Sequence, residues 1–529
     1  MARRSNCSYL SLPAIAAVVL LLLGIGLRFF DLTDEPIDFH PTRQLRGAIV
    51  ARGIYYDLLP NAEESIRQQA ESFRRSTGQY EPPILESLVA ITYLLIGREA
   101  FWIARIYNTL FWTIGGIALF FLARLISSAS IPKCLLQGTQ TIGMISASLA
   151  LVYYLVLPFS VQASRSFQPD PGMVVWVLCA SLGYYQWSTQ ERWKWAILAG
   201  VASGLAILTK AVAFYPIFST LLAVLVYKLI HRENAKISEL FINIIRNRQL
   251  WVIVILAITP VVLSSLGKQS RAEEYFSTWT IALSHLLLQP RFYLRWINLA
   301  QELLSPLALL IAFIGILLAR GRNLALLLGL WTGYFIYGLT LPYQMDTHSY
   351  YHLQLVPLSA ISMSPVFGRI VAQIYYSRPL VRVVASLGTI VIILFMSWQA
   401  IIPLYQEDYR GEPAYWREIA SYLPSDSKTI ALTQDYGFRL MYYGWRKVTL
   451  WPNRGEIKLS VLRNSAKDFD EYFAKKTSDK GYFLITAFRQ FDDQPELKSI
   501  LNENYPIKIQ GQGYIVFDLQ QTISETSSP

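Results

Sequence analysis

Apolar runs of about twenty residues recur along this chain, the length a helix needs to cross the hydrocarbon core of a bilayer. They lie near residues 10–30, 101–126, 140–158, 170–188, 193–209, 211–230, 250–266, 303–319, 324–341, 353–372 and 383–402. A segment in lipid must satisfy its backbone hydrogen bonds internally, so these runs dictate an α-helical polytopic membrane protein of about eleven spans. Only 16% of the 529 residues are charged and 53% are hydrophobic, whereas a soluble chain carries about a quarter charged residues. The net charge of +11 is explained by Lys and Arg in short cytoplasmic loops. No basic, aromatic-interleaved motif speaks for nucleic acid.

Loop charges set the expected threading. Arg3/Arg4, Lys133, Arg192/Lys194, Arg320/Arg322, Arg378/Arg382 and the basic connection 228–249 all fall on one side. By the positive-inside rule that side is cytoplasmic, with the N-terminus inside and the C-terminal segment outside. The first run follows Arg3 and Arg4 but has full spanning length and no small-residue cleavage site, so it reads as an uncleaved helix. Ile84 to Gly97 is apolar but short, and Glu86 interrupts it, which suits a helix lying on the outer surface. The three cysteines, Cys7, Cys134 and Cys179, are far apart and show neither metal spacing nor a disulfide framework.

Three regions follow from this pattern. Residues 1–402 form the transmembrane domain, with a first outer loop over 31–100. Residues 403–520 alternate helical stretches (413–423, 464–476, 494–503) with short β-rich runs, which predicts an extracytoplasmic α/β domain. Residues 521–529 read as a disordered tail.

The reactive side chains collect in the outer loops. Just after the first span comes Asp34-Glu35-Pro36-Ile37-Asp38-Phe39-His40-Pro41-Thr42-Arg43-Gln44. Asp34 and Glu35 mark the exit from the helix. Asp38 lies beside His40 and Arg43 in a segment stiffened by Pro36 and Pro41. A carboxylate near cations and an apolar boundary suits a general base. Glu81-Pro82-Pro83 precedes the surface helix. Arg165 and Asp170 flank a proline-bracketed turn, either as an ion pair holding the turn or as part of a site. Lys210 ends one span and precedes the next, either snorkelling to the interface or serving a ligand. His348 and His352 flank Tyr350-Tyr351. Their spacing of four would suit a divalent metal on a helix, but with only Asp346 nearby, hydrogen bonding to a phosphate or sugar is favoured and no metal cofactor is expected. The loop 267–302 is amphipathic and aromatic, which suits a surface-lying segment.

The order of these motifs resembles the GT-C membrane glycosyltransferases, close to the protein O-mannosyltransferases (glycosyltransferase family 39) and the lipid A aminoarabinose transferases. The matching residues are Asp38 through Arg52, Glu81-Pro82-Pro83, Arg165 to Asp170, Leu208-Thr209-Lys210 and His348 through His352. The resemblance spans about residues 10–402. It implies a polyprenyl-phosphate-linked sugar as donor and transfer on the extracytoplasmic face, in a cell membrane of bacterial plasma (inner) membrane type. It also implies that Asp38 deprotonates a hydroxyl acceptor on a protein, lipid or glycan. Arg43 would orient that carboxylate or touch phosphate, and Glu81 is the reserve acid. His40, Arg165, Asp170, Lys210, His348, Tyr350, Tyr351 and His352 would bind the donor phosphate or substrate. The family's first-loop motif is Asp-Glu, whereas here Phe39 follows Asp38. Two other classes fit less well. A flippase for lipid-linked sugars would carry ionisable residues along a path across the membrane, and a non-catalytic scaffold would explain the missing second acid.

Overall fold

The computed structural model describes residues 12–78, 81–131, 138–231, 245–266, 272–424, 428–465 and 468–523. Arg3, Arg4, Cys7, Lys133, Cys134, most of the basic loop 228–249 and the tail beyond residue 523 lie outside the described residues. The chain divides into two compact units. One comprises residues 1–32, 80–85 and 102–406, and the other comprises 33–79, 86–101 and 407–529.

The helices named below, in chain order, are α1 (Leu12–Phe29), α2 (Pro41–Leu58), α3 (Glu64–Ser76), α4 (Ile84–Ile96), α5 (Trp102–Ser130), α6 (Thr139–Val156), α7 (Pro158–Arg165), α8 (Asp170–Gln190), α9 (Trp193–Thr209), α10 (Phe214–Ile230), α11 (Arg248–Ser265), α12 (Pro290–Leu304), α13 (Pro306–Leu318), α14 (Arg322–Thr340), α15 (Leu355–Tyr375), α16 (Pro379–Gln406), α17 (Glu412–Ser421) and α18 (Phe438–Gly444). A helix stands at every position where the sequence demands a span. Among the described residues eight are long and apolar enough to cross a membrane, or nine if the bent pair α12–α13 is one span.

The exceptions have physical causes. Helix α8 has the length of a span but is less apolar, since it carries Tyr184, Tyr185, Gln186 and Ser188. Most of its residues are enclosed by other helices, so protein rather than lipid receives those side chains. Helix α9 falls just short at 17 residues, whereas α10 reaches spanning length together with the 3₁₀ turn before it, Ala211–Ala213. Helices α12 and α13 meet at 100° across Ser305, whose φ of 76° breaks the helix before Pro306 restarts it. The buried residues of α12, namely Phe292, Trp296, Ala300 and Leu304, repeat every four positions. One face therefore packs inward, as expected for an amphipathic helix lying along a surface.

Helices in lipid gain little from the hydrophobic effect, so small residues let them approach closely. Gly329 and Gly333 of α14 do this against α10. A Cβ at Gly329 would stand 2.6 Å from Thr220 Cα, and one at Gly333 would overlap the backbone of Pro216. At one end of this bundle, Lys228 reaches Glu191 (2.6 Å), Gln249 donates to the Glu191 carbonyl (2.7 Å) and Arg322 donates to the Ser188 carbonyl (3.3 Å). Three of the connections that the charge pattern put on one side thus meet at one end.

The second unit carries a five-stranded sheet in the order β2-β1-β3-β5-β4. Its strands are β1 (Thr429–Leu432), β2 (Thr449–Leu450), β3 (Tyr482–Ile485), β4 (Ile507–Gly511) and β5 (Tyr514–Asp518). Strand β1 is parallel to β2 and β3, and β5 runs antiparallel to β3 and β4. The continuous apolar run of β1 is fully buried, as a central parallel strand should be. Around it pack Trp451, Phe473, Phe483, Leu497 and Phe517. The runs read as strands are strands, and the three helices expected in 403–520 appear as Glu412–Ser421, Phe469–Thr477 and Pro495–Asn504, while Phe438–Gly444, Arg454–Leu462 and Phe488–Asp492 are helices that the sequence reading does not contain. The first loop, which the sequence attached to the membrane domain, shares this unit for most of its length. Helix α3 is polar and buries Ala70 and Phe73. Helix α2 has no counterpart among the sequence-based elements. It starts with Pro41 at its first position, where a missing N–H costs nothing.

Candidate active site

In the membrane unit the candidate residues gather at a break between helices. Helix α9 ends at Thr209, and Lys210 is extended (φ −156°, ψ 119°). A single 3₁₀ turn, Ala211–Ala213, then leads into α10. This break turns the Lys210 side chain inward, where its Nζ lies 2.7 Å from Oδ1 of Asp170, the first residue of α8. Both side chains are buried, at 6% and 1% exposure. A lysine that snorkelled would show its ammonium to water. The sequence also allowed an Arg165–Asp170 pair across the turn, but the partner of Asp170 is Lys210. Burying this pair is tolerable because each charge meets its counterion directly.

Aromatic rings close over the ammonium. Lys210 Nζ is 4.4 Å from the ring centre of Tyr351 and 5.4 Å from that of Tyr350, within cation–π range. Tyr351 stacks on Tyr337. The half-buried His348 ring is 5.6 Å from Tyr350 and 6.0 Å from Tyr351. Asp170, Lys210, His348, Tyr350 and Tyr351 therefore form one cluster.

Arg165 faces a different feature. Its Nη2 donates to the Asp31 carbonyl at 2.8 Å, and Arg105 Nη1 donates to the Leu32 carbonyl at 2.7 Å. Two buried guanidiniums thus bind the backbone where the chain leaves α1. Asn108, one turn along α5 from Arg105, ties the turn 166–168 by donating to the Gln168 carbonyl at 3.1 Å. Arg105 and Asn108 were not singled out in the sequence, though a charge inside an apolar span is a usable signal. Glu81 is half-buried directly before α4.

His352 does not join the cluster. It is fully buried, with Nδ1 2.8 Å from the Tyr334 hydroxyl and Nε2 2.9 Å from the Met345 carbonyl. Trp296 Nε1 donates to that same hydroxyl at 2.6 Å. Nε2–H donates to the carbonyl and Nδ1 accepts from Tyr334, so both ring nitrogens are used in packing the fold. The resemblance implies a substrate-binding role for His352, whereas both of its ring nitrogens have partners within the protein.

The second unit holds Asp38, His40 and Arg43. Gln44, in the second turn of α2, donates through Nε2 to Asp38 Oδ1 and to the Phe39 carbonyl, both at 2.8 Å. The amide pins the half-buried carboxylate to the start of the helix. His40 precedes α2 in a left-handed conformation (φ 47°). Burial, with Arg43 beside it, pulls the His40 imidazole down to about 4, so it is neutral at pH 7. Asp34 accepts from the Tyr409 backbone N–H (3.0 Å), and Glu35 accepts from the Tyr443 hydroxyl (2.9 Å). Those two acids are spent on internal contacts. Arg52, at the end of the first-loop motif, pairs with Glu99 (2.8 Å) and donates to the Tyr442 carbonyl (2.6 Å). Its guanidinium lies 4.1 Å from the Tyr442 ring and 4.6 Å from the Trp445 ring. Among the described residues no group of three or more His, Cys, Asp or Glu side chains is placed to hold a metal ion.

Residues 64–266, which include Glu81, Arg165, Asp170 and Lys210, match the dolichyl-phosphate-mannose-protein mannosyltransferase family. No curated protein sequence matches the chain at a significant level. The fold is similar to that of ArnT from Cupriavidus metallidurans bound to undecaprenyl phosphate. That match has a TM-score of 0.54 and 13% identity, and covers 95% of this chain and 97% of ArnT. It is also similar to the archaeal oligosaccharyltransferase AglB from Archaeoglobus fulgidus, solved with an inhibitory peptide and a dolichol-phosphate. There the TM-score is 0.50 and the identity 12%, over 98% of this chain and 75% of AglB. The chain has the GT-C fold, and the family match over residues 64–266 supports a membrane glycosyltransferase over a transporter or a scaffold.

Proposed function

We propose that the protein moves a sugar from a polyprenyl phosphate to a hydroxyl acceptor on the extracytoplasmic face of a bacterial plasma membrane. Asp38 takes the proton of the acceptor hydroxyl. The acceptor oxygen attacks the anomeric carbon, and the bond between that carbon and the phosphate oxygen breaks. Both electrons of that bond leave with the polyprenyl phosphate, which gains negative charge. In a poorly hydrated site fixed cations stabilise such a leaving group far more than they would in water. Lys210 and Arg165 are the cations proposed for this task, with His348 as a hydrogen-bond donor and Tyr350 and Tyr351 against the sugar. Glu81 is the reserve acid. The N-terminus would lie in the cytoplasm.

The observation that carries this reading is the Lys210–Asp170 pair capped by Tyr350 and Tyr351. A buried ammonium at a helix break, in the stretch that matches the mannosyltransferase family, is costly to maintain for packing alone. Binding of the product lipid tests it. Undecaprenyl phosphate at 100 times its Kd should stabilise the purified protein by about 2.7 kcal/mol. This is read as a rise in unfolding temperature in detergent, and undecaprenol without phosphate should give much less. Equal shifts with the two lipids would mean that only the tail is recognised, and would contradict a phosphate site.

A further inference from the structure

A strained turn in the C-terminal α/β domain points to a residue that no motif marks. In the sheet, β1 has β2 on one side and β3 on the other, so the chain reverses its direction of travel at β1. In α/β sheets the loops leaving the carboxyl ends at such a point commonly carry function. Here the loop is Thr433-Gln434-Asp435-Tyr436-Gly437. Asp435 (φ 50°) and Tyr436 (φ 55°) are both left-handed although neither is glycine. Consecutive residues hold this conformation only when their surroundings impose it.

At this turn the Asp435 carboxylate is held at both oxygens. Its Oδ2 accepts from Arg439 Nε at 2.6 Å, and Arg439 also pairs with Glu412 at 3.1 Å. Its Oδ1 accepts from the Thr42 hydroxyl at 2.9 Å, across 393 residues of sequence. Thr42 is the second residue of α2, a helix with no acidic residue in its first turn and no side-chain cap from His40. A carboxylate is favoured at a helix start. Asp435 supplies one from a loop distant in sequence but in the same unit. The same helix fixes Asp38 through Gln44.

We infer that Asp435 is a positioning residue for the base: acting through Thr42, it sets the first turn of α2 and with it the Asp38 carboxylate. The inference rests on Asp38 being the base, as proposed above. It gives the C-terminal domain a role in the chemistry through α2.

The test is sugar transfer by the full-length protein. Thr42→Val keeps the shape and removes the hydroxyl. It should lower kcat by about ten- to a hundredfold, the scale of a misplaced catalytic group, with donor KM changed less than about twofold. Thr42→Ser keeps the hydroxyl and should restore kcat. Asp435→Gly removes the carboxylate while accepting the positive φ without strain, so it should stay folded and show the same loss of kcat. Wild-type kcat in Thr42→Val or in Asp435→Gly would overturn the inference, as would an equal loss in Thr42→Val and Thr42→Ser. Asp38→Asn assayed alongside separates the two readings. If Asp38→Asn is inactive while Thr42→Val is fully active, only the positioning role falls. If Asp38→Asn is active, both fall.

Discussion

Asp38→Asn is expected to abolish sugar transfer while leaving the protein folded and able to bind polyprenyl phosphate. The asparagine Oδ1 accepts the Gln44 hydrogen bond as the carboxylate does, so the start of α2 keeps its geometry. What is lost is the ability to take a proton. General-base catalysis contributes about 10²- to 10⁴-fold, and kcat should fall by that much. Initial rates with a labelled polyprenyl-phosphate sugar measure the first outcome, and the unfolding temperature measures the second. A kcat within about threefold of wild type would move the base elsewhere, and Glu81→Gln would be the next variant to assay.

Lys210→Met has the second large effect, on stability as well as activity. It removes the counterion of Asp170 while leaving that carboxylate buried at 1% exposure. Breaking a buried pair from one side costs about 3–5 kcal/mol. Lys210→Met combined with Asp170→Asn removes both charges and should recover most of that stability. Transfer should remain lost in the double variant, because the leaving phosphate then lacks its cation. Unfolding temperatures and transfer rates of the two variants separate structure from function. An active double variant would make the pair a packing device and would remove Lys210 from the mechanism.

Much of the fold is legible because lipid imposes a simple rule on sequence. Runs of apolar residues had to be helices, and the alternating pattern after residue 402 had to be an α/β domain. Helix α4 illustrates how length decides: its thirteen residues suit a surface helix better than a span. What the sequence hid is how distant loops find one another. Asp170 and Lys210 each looked at home in their own turn, and no local signal pairs residues forty apart. His348 and His352 part company for a geometric reason. Their spacing of four puts side chains on one face of an α-helix, but Ser349–His352 is a 3₁₀ turn with three residues per turn. The two rings therefore diverge, one to the tyrosine cluster and one into the core. Asp435 was invisible because its meaning lies in a left-handed turn and a partner in the first loop. In sequence the first loop reads as an appendage of the membrane helices. Its acids at 34 and 35 turn out to bind the backbone and a tyrosine of the C-terminal segment.

Transfer assayed with the purified protein across a panel of radiolabelled donors tests the central claim most directly. The account predicts that label is released or transferred from a polyprenyl-phosphate sugar, not from a nucleotide sugar, and that polyprenyl phosphate appears as the other product. Transfer from a nucleotide sugar, or failure to cleave any polyprenyl-phosphate sugar by a protein that binds the lipid, would contradict it.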